Sequence, residues 1–174
     1  MRVRHLENDT IINVAQLLKA PVGTERYFTV HLDQLILDSD LAVRDVDAAV
    51  RLLRTSNGIL ATGDLRVTAH LTCVRCLTEF DGRFEETFEA EFWPTIDVLT
   101  GLPLPPPEDE DIFTIDKNHH LDLHELLRQF AVLAVPIYPV CGPQCPGPES
   151  LWQPPEEVVD ARLAVLQTLL DERA

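Results

Sequence analysis

No stretch of this chain stays apolar for the roughly 20 residues that a bilayer-spanning helix needs. The opening residues, Met1-Arg-Val-Arg-His-Leu-Glu-Asn-Asp9, are polar and carry no apolar core of a secretory signal, which predicts a cytoplasmic protein. Basic residues are scarce: 14 stand against 29 acidic ones, a formal net charge of −15. Lysine and arginine make most contacts to phosphate, so this balance argues against a general coat for nucleic acid or a membrane surface. There is no glycine-rich phosphate loop, no Gly-x-Ser-x-Gly element and no serine, histidine and aspartate in an order that assembles a triad. Internal repeats are absent as well. These absences leave no positive case for an enzyme or a small-molecule substrate.

Apolar residues make up 45% of the 174, enough to build one core rather than a disordered chain. Charge is spread unevenly along that chain. Residues 44–83 hold six arginines against five acids, whereas residues 84–125 hold twelve acids and a single base, Lys117. Contact with an anion therefore belongs to the first block, and contact with a basic partner to the second.

Hydrophobic periodicity places the elements. Asn13 can cap a short helix over 14–19 that stops before Pro21. Phe28, Val30 and Leu32 alternate with polar residues, as do Val46, Ala48, Val50 and Leu52, the period of half-buried strands. Asn57-Gly58 then signals a hairpin. The return strand sets Leu65, Val67, Ala69, Leu71 and Cys73 on one face and Arg66, Thr68 and His70 on the other. A further strand runs through Phe84, Glu86, Phe88, Ala90 and Phe92. Proline and acid dominate 94–118, which reads as a solvated loop. Asp122 with Glu125 resembles a capping box before the helical stripe Leu123, Leu126, Leu127, Phe130 and Leu133. A last helix is expected over 155–171. Together these give an α+β fold: an antiparallel meander sheet covered by a helix, with a C-terminal helix.

Four cysteines form two close pairs, Cys73-Val-Arg-Cys76 and Cys141-Gly-Pro-Gln-Cys145, with 64 residues between them. Two-residue and three-residue spacers let both sulfurs of a turn reach one ion, and structural zinc takes four such ligands in a tetrahedron. Cys73, Cys76, Cys141 and Cys145 are thus candidate ligands of a structural zinc, with Arg75 as partial counter-charge. The bland alternative makes Cys73 a core thiol and the others incidental. A redox reading leans on Cys141-Gly-Pro, but its spacer is one residue too long and Pro146-Gly-Pro148 cannot open a helix. His119, His120 and His124 fit a solvated helix entrance better than a second metal site.

The string Leu52-Leu-Arg-Thr-Ser-Asn-Gly-Ile-Leu-Ala-Thr-Gly63, the element Leu71-Thr-Cys-Val-Arg-Cys-Leu77, and Leu121-Asp-Leu-His-Glu-Leu-Leu127 followed by Pro136, Pro139 and Cys141…Cys145-Pro-Gly147 resemble the YceD family. That bacterial and plastid group is associated with accumulation of large-subunit ribosomal RNA. The resemblance covers roughly residues 10–170, while the metal rests on the spacing in this chain. It implies a YceD-like domain over 1–148, a helical tail over 149–174, and a non-catalytic factor in ribosome assembly. Its partner would be large-subunit ribosomal RNA or a basic ribosomal protein, the RNA contact falling on Arg51, Arg54, Arg66 and Arg75. The rival class is a thiol-redox or metal-dependent enzyme, which needs an accessible low-pKa thiol or an open coordination position.

Overall fold

The computed structural model describes residues 3–107 and 112–148; the helix expected over 155–171, and the whole tail 149–174, lie outside the described residues. The chain runs β1 (Val3–Glu7), β2 (Ile11–Asn13), α1 (Ala15–Leu18), β3 (Glu25–Asp38), β4 (Leu41–Arg54), β5 (Ile59–Thr72), β6 (Glu79–Pro94), β7 (Phe113–Ile115), β8 (His120–Asp122) and α2 (His124–Ala134). Six strands form one sheet in the order β1-β3-β4-β5-β6-β7, and β2 pairs with β8 in a small second sheet.

This overturns the expected α+β fold with an antiparallel meander sheet covered by a helix. The protein is mostly β and its main sheet is mixed: β3 to β6 pair antiparallel, but β1 joins β3, and β7 joins β6, in parallel. Parallel partners require a crossover, so local periodicity carries no trace of them. β1 is exposed at four of its five positions and β7 has only three residues, so neither shows an alternating pattern. Helix is confined to four residues in α1 and eleven in α2 among the described residues.

The strands alternate because their side chains do. Val46, Ala48, Val50 and Leu52 of β4 face Ile59, Ala61, Leu65 and Val67 of β5 in one buried layer. A single irregularity between Arg44 and Asp47 keeps the phase: Val43 and Val46 are three residues apart, yet both are fully buried. Asp45, at φ 48°, takes up the extra residue. An uncorrected slip would turn every following side chain to the other face.

Helix α2 lies against β3, β5 and β6, burying Leu126, Leu127 and Ala131. Phe130 meets Phe88 of β6 with ring centroids 6.0 Å apart. Arg128 locks the helix in place, donating to the Leu37 carbonyl at 2.9 Å and through two nitrogens to Glu125 at 2.7 and 2.6 Å. Glu125 is thus engaged by Arg128 instead of closing a capping box. The helix begins one residue after Leu123, and the Asp122 carboxylate accepts from the His124 amide at 2.8 Å.

Asn57-Gly58 does form the β4–β5 turn, but neither residue adopts positive φ. The glycine is needed for another reason. A Cβ on Gly58 would lie 2.1 Å from the Phe92 carbonyl oxygen of β6. Arg54 braces the same turn by donating to the carbonyls of Thr55 and Gly58, and to that of Leu18 in α1. We therefore expect Gly58→Ala to cost about 1–3 kcal/mol in urea unfolding, the range for overpacking. Asn57→Ala, on an exposed residue whose φ is ordinary, should stay within about 0.5 kcal/mol. A turn that depended on positive φ at Asn57 would give a clear loss for both.

Candidate metal centre and the open face of the sheet

Strand β5 ends at Thr72, so the next residue delivers Cys73 to the lip of the sheet. The chain reverses there. The Leu77 amide donates to the Cys73 carbonyl at 2.9 Å, the Cys73 amide to Thr78 at 2.9 Å, and Leu77 sits at φ 59°. The second pair follows α2 in a segment kept irregular by its prolines. Gly142, at φ 133°, permits the bend in which the Cys145 amide donates to the Gly142 carbonyl at 3.1 Å. One backbone bond joins the two turns, from the Val74 amide to the Pro139 carbonyl at 2.9 Å.

The result is a cluster of four sulfurs, all within 4.8 Å of one another. Cys73 pairs with Cys145 and Cys76 with Cys141, each at 3.7 Å between Sγ atoms. That is far beyond the roughly 2.05 Å of a disulfide. It is close to the edge of about 3.8 Å that a tetrahedron of sulfurs at about 2.3 Å from a central zinc would have. Cys73 and Cys76 are buried and the second pair half-buried. The four cysteines can hold a metal ion, and they are the one group of such ligands brought together among the described residues. His119, His120 and His124 do not converge; the His120 ring pairs with Asp116 at 3.4 Å.

Electrostatics splits the cluster in two. Burial opposes ionisation of Cys73, but amides of Cys141, Cys76 and Arg75 donate to its sulfur and bring it down to about 6. The hydroxyl and backbone amide of Thr78 lower Cys76. Cys141 is pushed up to about 12 by burial and by the neighbouring sulfurs of Cys76, Cys145 and Cys73. For Cys145 the amide of Gly147 works downward, but burial and the Cys76 and Cys73 sulfurs outweigh it. Without a cation, the first pair is thus favoured to ionise and the second disfavoured. A cation at the centre would let all four ionise, so metal uptake and proton release are linked.

The arginines singled out from the sequence do not form a free basic strip. Arg66 donates to Glu85 at 2.9 Å across β5 and β6. Arg51 reaches the Thr62 hydroxyl at 3.2 Å and Glu25 at 3.4 Å. Arg54 is spent on the backbone carbonyls of the hairpin turn, and Arg75 stands exposed in the cysteine turn. Arg51 and Arg66 share the open face of the sheet, with Asp64 in the row between them.

That open face is a feature that periodicity alone did not reveal, because its rows are set by register. One row crosses the strands as Tyr27, Arg51, Thr62 and Glu89, the next as Thr29, Ala49, Asp64 and Thr87, the third as His31, Asp47, Arg66 and Glu85. Another unforeseen feature is a set of exposed apolar side chains flanking the cysteines, including Leu77, Ile137 and Tyr138. The sequence signal for it lies in Ile137 and Tyr138, held between Pro136 and Pro139 outside any period.

Fold and site together define a β-rich domain with a closed four-sulfur cluster at one end of its sheet. The chain belongs to the YceD family: the family described as "Large ribosomal RNA subunit accumulation protein YceD" matches residues 61–170. It is similar to uncharacterized proteins of Mycobacterium bovis and Mycobacterium tuberculosis. Each is 29% identical over 151 residues, covering 83% of this chain and 69% of the relative. No solved structure matches. No helix among the described residues is long and apolar enough to cross a membrane.

On the open face, His31 Nδ1 lies 2.7 Å from Asp47, and that bond raises the ring above its ordinary 6.5. A raised value means that the contact's stabilisation is complete below the ordinary imidazole range and is lost as pH climbs through the folded-state value. In an NMR titration the His31 ring should deprotonate above 6.5, and Asp47→Asn should bring it back toward that value.

Proposed function

We propose that this protein is a non-catalytic, cytoplasmic factor of large-subunit assembly that supports the accumulation or processing of large-subunit ribosomal RNA. Its working unit is the domain over 1–148, held closed by one structural zinc on Cys73, Cys76, Cys141 and Cys145. The observation that carries the zinc is the 3.7 Å spacing of the sulfurs, drawn from two turns 64 residues apart. Four protein sulfurs fill a tetrahedron and leave no position for substrate, which supports a structural ion over a catalytic one. The family's link to large-subunit ribosomal RNA supports the assembly role.

A thiol-redox role finds less support. A reactive thiolate must be reached, and Cys73, whose pKa is brought down to about 6, is fully buried. Contact with the assembling subunit runs through its RNA or through a basic ribosomal protein. The engagement of Arg51 and Arg66 by Glu25 and Glu85 favours the protein.

Protein purified without chelator should carry about one zinc per chain, and Cys76→Ser should lose most of it together with several degrees of thermal midpoint. Depletion of the protein in its host should lower large-subunit relative to small-subunit ribosomal RNA, and Cys76→Ser should fail to restore it. Folded, metal-free protein with four freely reacting thiols would remove the zinc site from the account. Unchanged ribosomal RNA on depletion would remove the assembly role.

A further inference from the structure

The row Thr29, Ala49, Asp64 on the open face is made of short side chains, and the rows beside it carry long ones: Tyr27 and Arg51 on one side, His31 and Arg66 on the other. Short residues between long ones make a trough that runs across the strands. A depression of about 620 Å³ opens there, with His5, Thr29, His31, Ala49, Asp64 and Arg66 in its lining. Its lining comes from four strands, β1, β3, β4 and β5, which at about 4.8 Å spacing give a floor about 14 Å long, the reach of roughly four extended residues, with His5 at the β1 end.

The trough carries an excess of acid: Glu7, Asp47 and Asp64 stand against Arg66, with His5 and His31 beside them. Asp64 rises from its floor and makes no hydrogen bond or ion pair among the described residues. Asp47 and Glu7 stand on one wall and Glu89 at the far end of the other, all exposed. The two arginines here bring little free positive charge, because Glu85 and Glu25 pair with them. A phosphate backbone would meet the unpaired Asp64 carboxylate at the centre of the surface, whereas an ammonium or guanidinium group would find there an acceptor without a partner.

We infer that this trough is a docking surface for an extended, lysine- and arginine-bearing segment of a partner protein. The floor takes the segment's backbone and small side chains, Asp64 receives its cation with Asp47, shared with His31, beside it, and the tied arginines offer nucleic acid little. That the partner is a basic ribosomal protein rests on the assembly role proposed above; the docking of a basic segment does not.

The test is a titration of the full-length, zinc-loaded protein with a labelled ten-residue peptide of alternating lysine and alanine. Wild type should bind at low salt and release as salt rises past about 0.15 M. Asp64→Lys should weaken binding at least about tenfold with an unchanged thermal midpoint, and Asp47→Asn, which also frees His31, by a smaller factor. Asp40→Lys, the same charge change on the exposed β3–β4 turn, should stay within about twofold of wild type. Equal losses for Asp64→Lys and Asp40→Lys would overturn the inference, since net charge alone would then account for binding. So would a wild type that ignores the peptide but binds oligo-uridine through Arg66, as shown by loss in Arg66→Glu. Either failure, alongside ribosomal RNA that still falls on depletion, would sink the docking surface and leave the assembly role standing.

Discussion

The phase relation between neighbouring strands governs most of this molecule. Strands β3 to β6 are fourteen to sixteen residues long, and each must keep one set of alternate side chains in the core. A shift of one residue would exchange core and solvent faces along a whole strand. The irregularity at Arg44–Asp47 absorbs the one place where the pattern of β4 falls out of step. With that phase held, Leu52, Ile59, Leu65 and Phe92 all close on one layer, and the polar residues between them are forced into rows on the other side. The acidic trough is therefore a by-product of the same register that builds the core.

The cysteine cluster depends on that framework and completes it. β5 ends one residue before Cys73, and α2, fixed by Arg128 to the Leu37 carbonyl, sets the start of the segment that returns with Cys141. Packing thus brings two distant turns to within one backbone bond of each other. A cation shared by their sulfurs would close a loop of more than sixty residues, where cross-linking has most to gain by restricting the unfolded chain. The opposite shifts of Cys73 and Cys141 follow from their surroundings: amides donate to the Cys73 sulfur, whereas burial and the neighbouring sulfurs push Cys141 up.

Charge on this surface has to be read by pairs. Six arginines in residues 44–83 form a basic block in sequence, yet cross-strand register seats Arg66 opposite Glu85 and brings Arg44 to Asp81 at 3.0 Å. Such exposed pairs contribute little stability. Their consequence here is for recognition: they offset the charge of Arg44 and Arg66, while Asp64, in the row beside Arg66, makes no ion pair among the described residues.

What the sequence determined by itself is local. Strand cores around Val30, Val50, Val67 and Phe88, the turn at Asn57-Gly58 and the α2 stripe from Leu123 to Phe130 are legible, because side-chain period and turn chemistry act over a few residues, whereas Leu133, expected in that stripe, is exposed. The two cysteine pairs were legible for the same reason: ligand spacing is a property of a short segment. Tertiary structure alone decided the parallel edge strands β1 and β7, which depend on crossovers, and hence the mixed, mostly β sheet. It also decided why Gly58 is a glycine, since the conflict is with a carbonyl 34 residues away on β6. Finally it decided which charges are cancelled, because a residue's partner across a sheet is set by register and never by its neighbours in the chain.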